Sequence, residues 1–300
     1  MSRKCLISVE GGLGKNVMLT SILAEFKETK QYDELYVISP YYDVFKCCPA
    51  VTDAFSDGQG TLYQELVLDK ECDIYWKEPY SNQRFIKKEC HLFDAWAEEL
   101  GFKLKNNPMD YKPDLSKIEE EFPDIKSIAE QLIVNEWKND YIIVQFCGGQ
   151  SPLNDTKNCS YDAKSEPLKR NYFKGQQIID ALKKKYPDTT IVHYALQNEP
   201  CYDKTVKVIV PYLTYVIFAK NAKAVIATDS SLQHISTGNC KNTTVIWGET
   251  RPEHFGYNCN HNICANHVLN SQPYFKPLGS SPSIVRMPEP EDVLSVSGLL

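Results

Sequence analysis

Twice in this chain a short apolar run leads straight into paired glycines. Residues 4–9 (KCLISV) run into Glu10-Gly11-Gly12-Leu13-Gly14, and residues 141–147 (YIIVQFC) run into Gly148-Gly149-Gln150. A bounded apolar run of this length suits a strand buried on both faces, and glycine permits the tight turn after it. Behind the first turn, Val17, Leu19, Ile22, Leu23 and Phe26 recur at helical spacing, and 34–39 (ELYVIS), closed by Pro40, reads as the next strand. Strand, glycine turn, helix, strand is the opening of a βαβ unit and commits the chain to a parallel sheet.

The alternation continues beyond that opening. Residues 62–75 hold shorter strand candidates (LYQELVL, DIYW), and 88–100 read as a helix carrying Leu92, Phe93, Trp96 and Leu100. A polar, proline-containing stretch over 104–118 connects to a helix over 123–137. After the second glycine pair come a polar loop over 151–170, a helix over 171–185, and strands at 189–195 (TTIVHYA) and 207–210 (KVIV). A helix at 212–221, a strand at 223–228 (KAVIAT), a helix at 230–238 and a strand at 243–247 ending in Gly248 follow. The 300 residues suit two domains of about 150 each. The expected architecture is α/β: two facing Rossmann-like domains, 1–135 and 136–275, with an interdomain cleft, then a tail over 276–300 with a terminal helix at Pro290-Glu291-Asp292-Val293-Leu294. Ligands in such sheets bind at the carboxyl ends of the strands, beside helix N-termini.

Bulk properties narrow the partners. A net charge of −6 gives no broad basic face for non-specific nucleic-acid binding, although a local basic groove remains open. The N-terminal apolar run is too short for a signal peptide, and no stretch approaches the roughly 18 apolar residues of a transmembrane helix. The 11 cysteines are an odd, scattered set, which without an export signal points to reduced thiols and a cytoplasmic protein. Cys47-Cys48 sits on an apolar stretch and reads as core.

Residues 223–248 carry the strongest chemical signal. A buried strand ends at Thr228, and Asp229, Ser230 and Ser231 fall at the strand-to-helix turn. The first amides of a helix are unpaired and lie at the positive end of its dipole, so they suit a diphosphate. The hydroxyls of Ser230 and Ser231 add donors, and an ionised Asp229 accepts from sugar hydroxyls. The plainer alternative is an N-capped helix with Asp229 or Ser230 as the cap, and a packed rather than ligand-binding His234.

Residues 225–248 (VIATDSSLQHISTGNCKNTTVIWG) resemble the donor-site segment of glycosyltransferase family 9, the ADP-heptose:glycan heptosyltransferases. Asp229, Ser230, His234 and Gly248 match that family's pattern, whereas Ser231, Leu232 and Gln233 depart from its small residue, proline and methionine. Residues 5–50 are similar to the family's opening βαβ step, and 167–184 (PLKRNYFKGQQIIDALKK) to its basic-aromatic segment and helix. Phage-encoded members, which also read Gly-Gly-x-Gly-Lys-Asn, are the most similar in style. The resemblance implies a GT-B fold and a nucleotide-diphosphate sugar as co-substrate, with no metal and no other cofactor. Asp229 would hold donor-sugar hydroxyls; Ser230, Ser231 and Leu232 would hold the diphosphate, flanked by Gln233 and His234. Lys169 or Arg170 would neutralise the leaving phosphates. Glu199 would contact the nucleoside, and Gly149 and Gln150 would line the same site.

The resemblance places an aspartate, the expected general base, where this chain has Lys15. A lysine serves as a base at neutral pH only when burial lowers its pKa. Glu10 is then the carboxylate expected to take the proton, with Asp43 in reserve and Lys15 as an anion-binding group. The same turn, Gly11, Gly12 and Gly14 before Lys15, also resembles a deviant P-loop, but Asn16 stands where that loop needs a magnesium-binding hydroxyl.

The function expected is transfer of a hexosyl, heptosyl or pentosyl group with inversion. The acceptor is a bacterial glycan or, on the phage-like resemblance, a hydroxymethylated pyrimidine of DNA, which an enzyme must flip out of the duplex. Lys77, Arg84, Lys87 and Lys88 are the candidate basic groove for DNA. A non-catalytic nucleotide-sugar-binding protein is the alternative of a different class. Cys259, Cys264, His254, His261 and His267 are soft ligands close in sequence, but their spacings match no common zinc motif and ordinary loop residues fit better.

Overall fold

The computed structural model describes residues 2–56, 66, 72–147, 171–195, 201–248, 250–267 and 285–300. It forms two compact units, Met1–Pro123 and Asp124–Leu300.

The first unit is built on four strands: β1 (Lys4–Ser8), β2 (Glu34–Ile38), β3 (Asp53–Phe55) and β4 (Cys72–Trp76). They lie in the order β3-β2-β1-β4 and every pairing is parallel. Helices Leu13–Leu19 and Leu23–Lys30 fill the first crossover, and Val17, Leu19, Leu23 and Phe26 are fully buried, as the helical spacing requires. The helix expected over 88–100 is confined to Leu92–Glu99, and a separate short helix, Gln83–Ile86, precedes it. Asn82 caps the helix Gln83–Ile86 with bonds from the amides of Arg84 and Phe85, and the left-handed Lys88 (φ 61°) follows it. His91 and Asp94 then form a reciprocal capping box that starts the helix Leu92–Glu99. The short strand β3, which the sequence reading did not anticipate, extends the sheet beside β2.

The second unit holds a six-stranded sheet, all parallel: β5 (Tyr141–Gln145), β6 (Thr190–His193), β7 (Val206–Lys207), β8 (Ala224–Thr228), β9 (Thr243–Trp247) and β10 (His261–Cys264), in the order β10-β9-β8-β5-β6-β7. All five residues of β8 and of β9 are buried, which is why those segments show no alternation of apolar and charged residues. A two-stranded antiparallel pair, β11 (Asn266–His267) and β12 (Val285–Arg286), lies apart from it. The helix expected over 123–137 is α-helical over Pro123–Gln131 and a π-turn over Leu132–Glu136. The helix expected from 171 starts at Gly175, because the amide of Tyr172 bonds back to Phe146 O at 2.7 Å and both rings are buried. The strand expected over 207–210 is reduced to β7, and β10 stands where loop was expected.

The terminal helix Pro290–Val296 belongs to this core. Val293, Leu294 and Leu299 pack with Ile142, Ile226 and Ile246 of the sheet. Its end is tied by Asn242 Nδ2, which donates to Ser297 O at 2.8 Å.

Candidate functional site

In the second unit the polar groups gather at the carboxyl ends of β5, β6 and β8. Gln145 ends β5 and is register partner to Ala227, two residues before Asp229. Ser230 is the N-cap of the helix Ser231–Ser236, yet its side chain makes no capping bond; its Oγ donates to Gln145 Oε1 instead. Asp229 is likewise turned along the helix, accepting from Gln233 Nε2 at 2.7 Å. The Ser230 side chain therefore does not make the capping bond expected of it. Tyr194, just past β6, brings its hydroxyl to 3.5 Å from Ser231 Oγ, and its ring packs edge-on to Tyr215 at 4.3 Å between centroids.

The cluster is enclosed. Asp229, Ser230, Gln233 and His234 are all buried, and Leu232 is fully buried behind them. Gln233 Oε1 and Thr228 Oγ1 have no hydrogen-bond partner among the described residues, so buried polar capacity lies unused beside Asp229. His234 Nδ1 lies 2.9 Å from the hydroxyl of Tyr257, whose burial holds its phenol well above the usual tyrosine range and hence protonated. The loop beyond is held by amides: Asn260 Nδ2 donates to Thr237 Oγ1 at 2.9 Å, and Trp247 Nε1 donates to Asn262 Oδ1 at 2.8 Å. Sequence reading missed Gln145, Tyr194 and Tyr257. Gln145 had a signal, a lone amide closing an otherwise apolar strand; Tyr194 and Tyr257 had none, since only the sheet brings their segments to β8.

In the first unit, Glu10 follows β1 and is exposed. Gly11 takes φ +94°, and Gly12 is the N-cap of the helix that contains Gly14, Lys15 and Asn16. Lys15 folds back over this turn: its Nζ donates to Glu78 Oε2 at 2.6 Å and lies 5.5 Å from the centre of the Tyr80 ring. Asn16 is fully buried; it donates to Gly12 O at 2.9 Å and accepts from Ser39 Oγ at 2.6 Å. A P-loop needs its lysine and the following hydroxyl directed at phosphate and metal. Here the lysine is turned onto Glu78 and the asparagine locks the turn to the end of β2.

Gly149, Gln150, Lys169, Arg170 and Glu199 lie outside the described residues. Asp43, half-buried in the helix Tyr42–Lys46, accepts from the Val44 amide at 3.1 Å. Of the basic-groove candidates, Arg84 pairs with Glu98, and Lys77 lies 4.0 Å from Glu99. Among the described residues no group of three or more His, Cys, Asp or Glu is placed to hold a metal ion. His261 and Cys264 are strand residues of β10. No disulfide joins the described cysteines, and burial pushes the Cys48 thiol up to about 12, as suits a core residue rather than a redox one. Among the described residues no helix is long and apolar enough to cross a membrane.

Each unit thus carries a parallel sheet with polar side chains where its strands end, the edge at which ligands bind in open α/β sheets. Among solved structures the chain is similar to glycosyltransferase family 9 proteins and heptosyltransferases. E. coli ADP-heptose LPS heptosyltransferase II matches with a TM-score of 0.64 at 13% identity, over 98% of this chain and 97% of that one. A family 9 glycosyltransferase from Veillonella parvula matches with a TM-score of 0.58 at 11% identity, over 92% and 89%. E. coli heptosyltransferase WaaC, solved with ADP, matches with a TM-score of 0.50 at 13% identity, over 88% and 93%. The likeness is one of fold: α/β, GT-B-like, with two parallel-stranded sheets. No protein-family model and no curated protein matches the sequence.

Proposed function

We propose that this chain is a glycosyltransferase that moves a sugar from a nucleoside-diphosphate donor to an acceptor hydroxyl, with inversion at the anomeric carbon. The observation that carries this reading is the enclosed polar cluster after β8, in a chain whose fold is that of the heptosyltransferases. A solved neighbour holds ADP, which supports a nucleotide sugar as the donor. Asp229 and Gln233 meet hydroxyls of the donor sugar, and Ser230, Ser231 and the amides after Asp229 meet the diphosphate. His234 borders the same turn. Lys169 or Arg170 neutralises the departing phosphates, Glu199 reads the nucleoside, and Gly149 and Gln150 complete the donor pocket. The first unit supplies the carboxylate that takes the acceptor's proton.

The acceptor we favour is a glycan. Arg84 and Lys77, named for a nucleic-acid groove, are next to Glu98 and Glu99, which cancels much of the field that duplex phosphates would need.

The test is a thermal-shift screen of nucleotide sugars followed by release of the nucleoside diphosphate. One donor should raise the melting temperature and be hydrolysed slowly. Asp229→Asn, which keeps an acceptor for Gln233, should bind that donor about 10- to 100-fold more weakly, as befits loss of a charged hydrogen bond. Donor binding without any turnover would favour the non-catalytic sugar-binding alternative. Transfer to hydroxymethylated DNA, with none to glycans, would overturn the acceptor assignment.

A further inference from the structure

Lys15 is a buried cation matched by one side chain. Its side chain is 3% exposed, and the only ion pair it makes among the described residues is with Glu78. An ammonium so enclosed requires a counter-charge. Glu78 provides it without being enclosed itself, since its side chain is 46% exposed. Its second oxygen, Oε1, accepts from the Tyr80 amide at 3.1 Å. A carboxylate has about four acceptor positions, so the two internal bonds fix the group and leave acceptor capacity on both oxygens.

Its place in the sheet is specific. β1 and β4 pair in parallel with Ser8 opposite Trp76, and Glu10 and Glu78 each stand two residues beyond that pair. Both therefore leave the sheet at its carboxyl edge, on neighbouring strands. Glu10 is exposed and makes no side-chain hydrogen bond or ion pair among the described residues. Glu78 is gripped from two sides and held against the glycine turn, where a Cβ on Gly11 would come within 2.8 Å of Lys15 Nζ. A base works from a fixed position within hydrogen-bond reach of its proton.

We infer that Glu78 is the general base of the transfer, with Lys15 and the Tyr80 amide as the groups that position it; this rests on the transferase reading above. The acceptor O–H gives its proton to the Glu78 carboxylate. The acceptor oxygen forms the new bond to the anomeric carbon. The bond from that carbon to the diphosphate oxygen breaks, and its electron pair leaves with the nucleoside diphosphate.

The experiment uses the full chain, a panel of ADP-, UDP-, GDP- and dTDP-sugars as donors, and water as the acceptor hydroxyl. Glu78→Gln should keep the donor-induced rise in melting temperature while nucleoside diphosphate release falls about 100-fold or more. The acid limb of the kcat/KM profile should disappear with it. Because a neutral amide in place of the carboxylate leaves the Lys15 charge unmatched, the double variant Lys15→Met/Glu78→Gln is measured alongside and should be equally slow. Lys15→Met alone should keep the acid limb and lose less in kcat. If Glu78→Gln and the double variant turn over at the wild-type rate, Glu78 is only the counter-ion of Lys15 and the inference is overturned with the transferase reading intact. If wild-type protein neither binds nor hydrolyses any donor, the transferase reading falls and the inference falls with it.

Discussion

At the scale of single residues, the glycine turn after β1 shows how one backbone angle sets the position of a functional group. Gly11 sits at φ +94°, a region costly for any residue with a Cβ, and that Cβ would press on Lys15 Cε and Nζ at 2.8 Å. Gly11→Ala should destabilise the chain by about 1–3 kcal/mol, read by urea unfolding, and should also slow turnover by moving Lys15 off Glu78. The glycine was legible in the sequence because its role is local. The Lys15–Glu78 contact was not, because it spans 63 positions. His193 belongs to the same scale. It is buried on β6, its Nδ1 has no hydrogen-bond partner among the described residues, and Lys207 lies across the β6–β7 pair. Burial first, then the Lys207 charge, lowers its pKa from 6.5 to about 4. The folded pKa is below the unfolded one, so the unfolded chain binds the proton more readily. The stability contribution is complete above pH 6.5 and is lost as pH falls towards 4, by up to roughly 3 kcal/mol. His193→Phe should flatten the melting-temperature profile between those values; an unchanged profile would contradict the assignment.

At the scale of elements, periodicity located the strands well and their ends poorly. β8 and β9 were readable as runs free of charged residues because both their faces are covered. β3 and β10 escaped notice because three or four residues of mixed polarity carry no period; neighbouring strands recruit them. The helix expected from 88 starts at Leu92 for a similar reason, with His91 fixing its start through a side-chain-to-amide bond, and Asn82 caps a short helix that carried no signal of its own. The terminal helix was legible from its proline and acidic first turn, but its place in the core was not. Leu294 is 2% exposed within that core, so Leu294→Ala should cost about 2–5 kcal/mol in chemical denaturation. An exposed, merely appended helix would give almost no change.

At the scale of the whole molecule, two units with separate sheets make stability and binding separable. A nucleoside diphosphate bound by the second unit at about 100 times its Kd should stabilise that unit by about 2.7 kcal/mol. Calorimetry should then show the transition of residues 124–300 moving up with ligand, and Asp229→Asn should blunt the movement. The sequence by itself determined the alternation of strands and helices, the parallel sheets and the turn at Asp229–His234. Those follow from the spacing of apolar residues and from local turn chemistry, and both act over a few positions of chain. Only the tertiary structure decided that Ser230 reaches Gln145 rather than capping its helix, that Tyr257 meets His234, and that Lys15 draws Glu78 to the glycine turn. These contacts join strands far apart in the chain, and the demand of buried polar groups and charges for partners fixes them only once the sheets have brought the strand ends together.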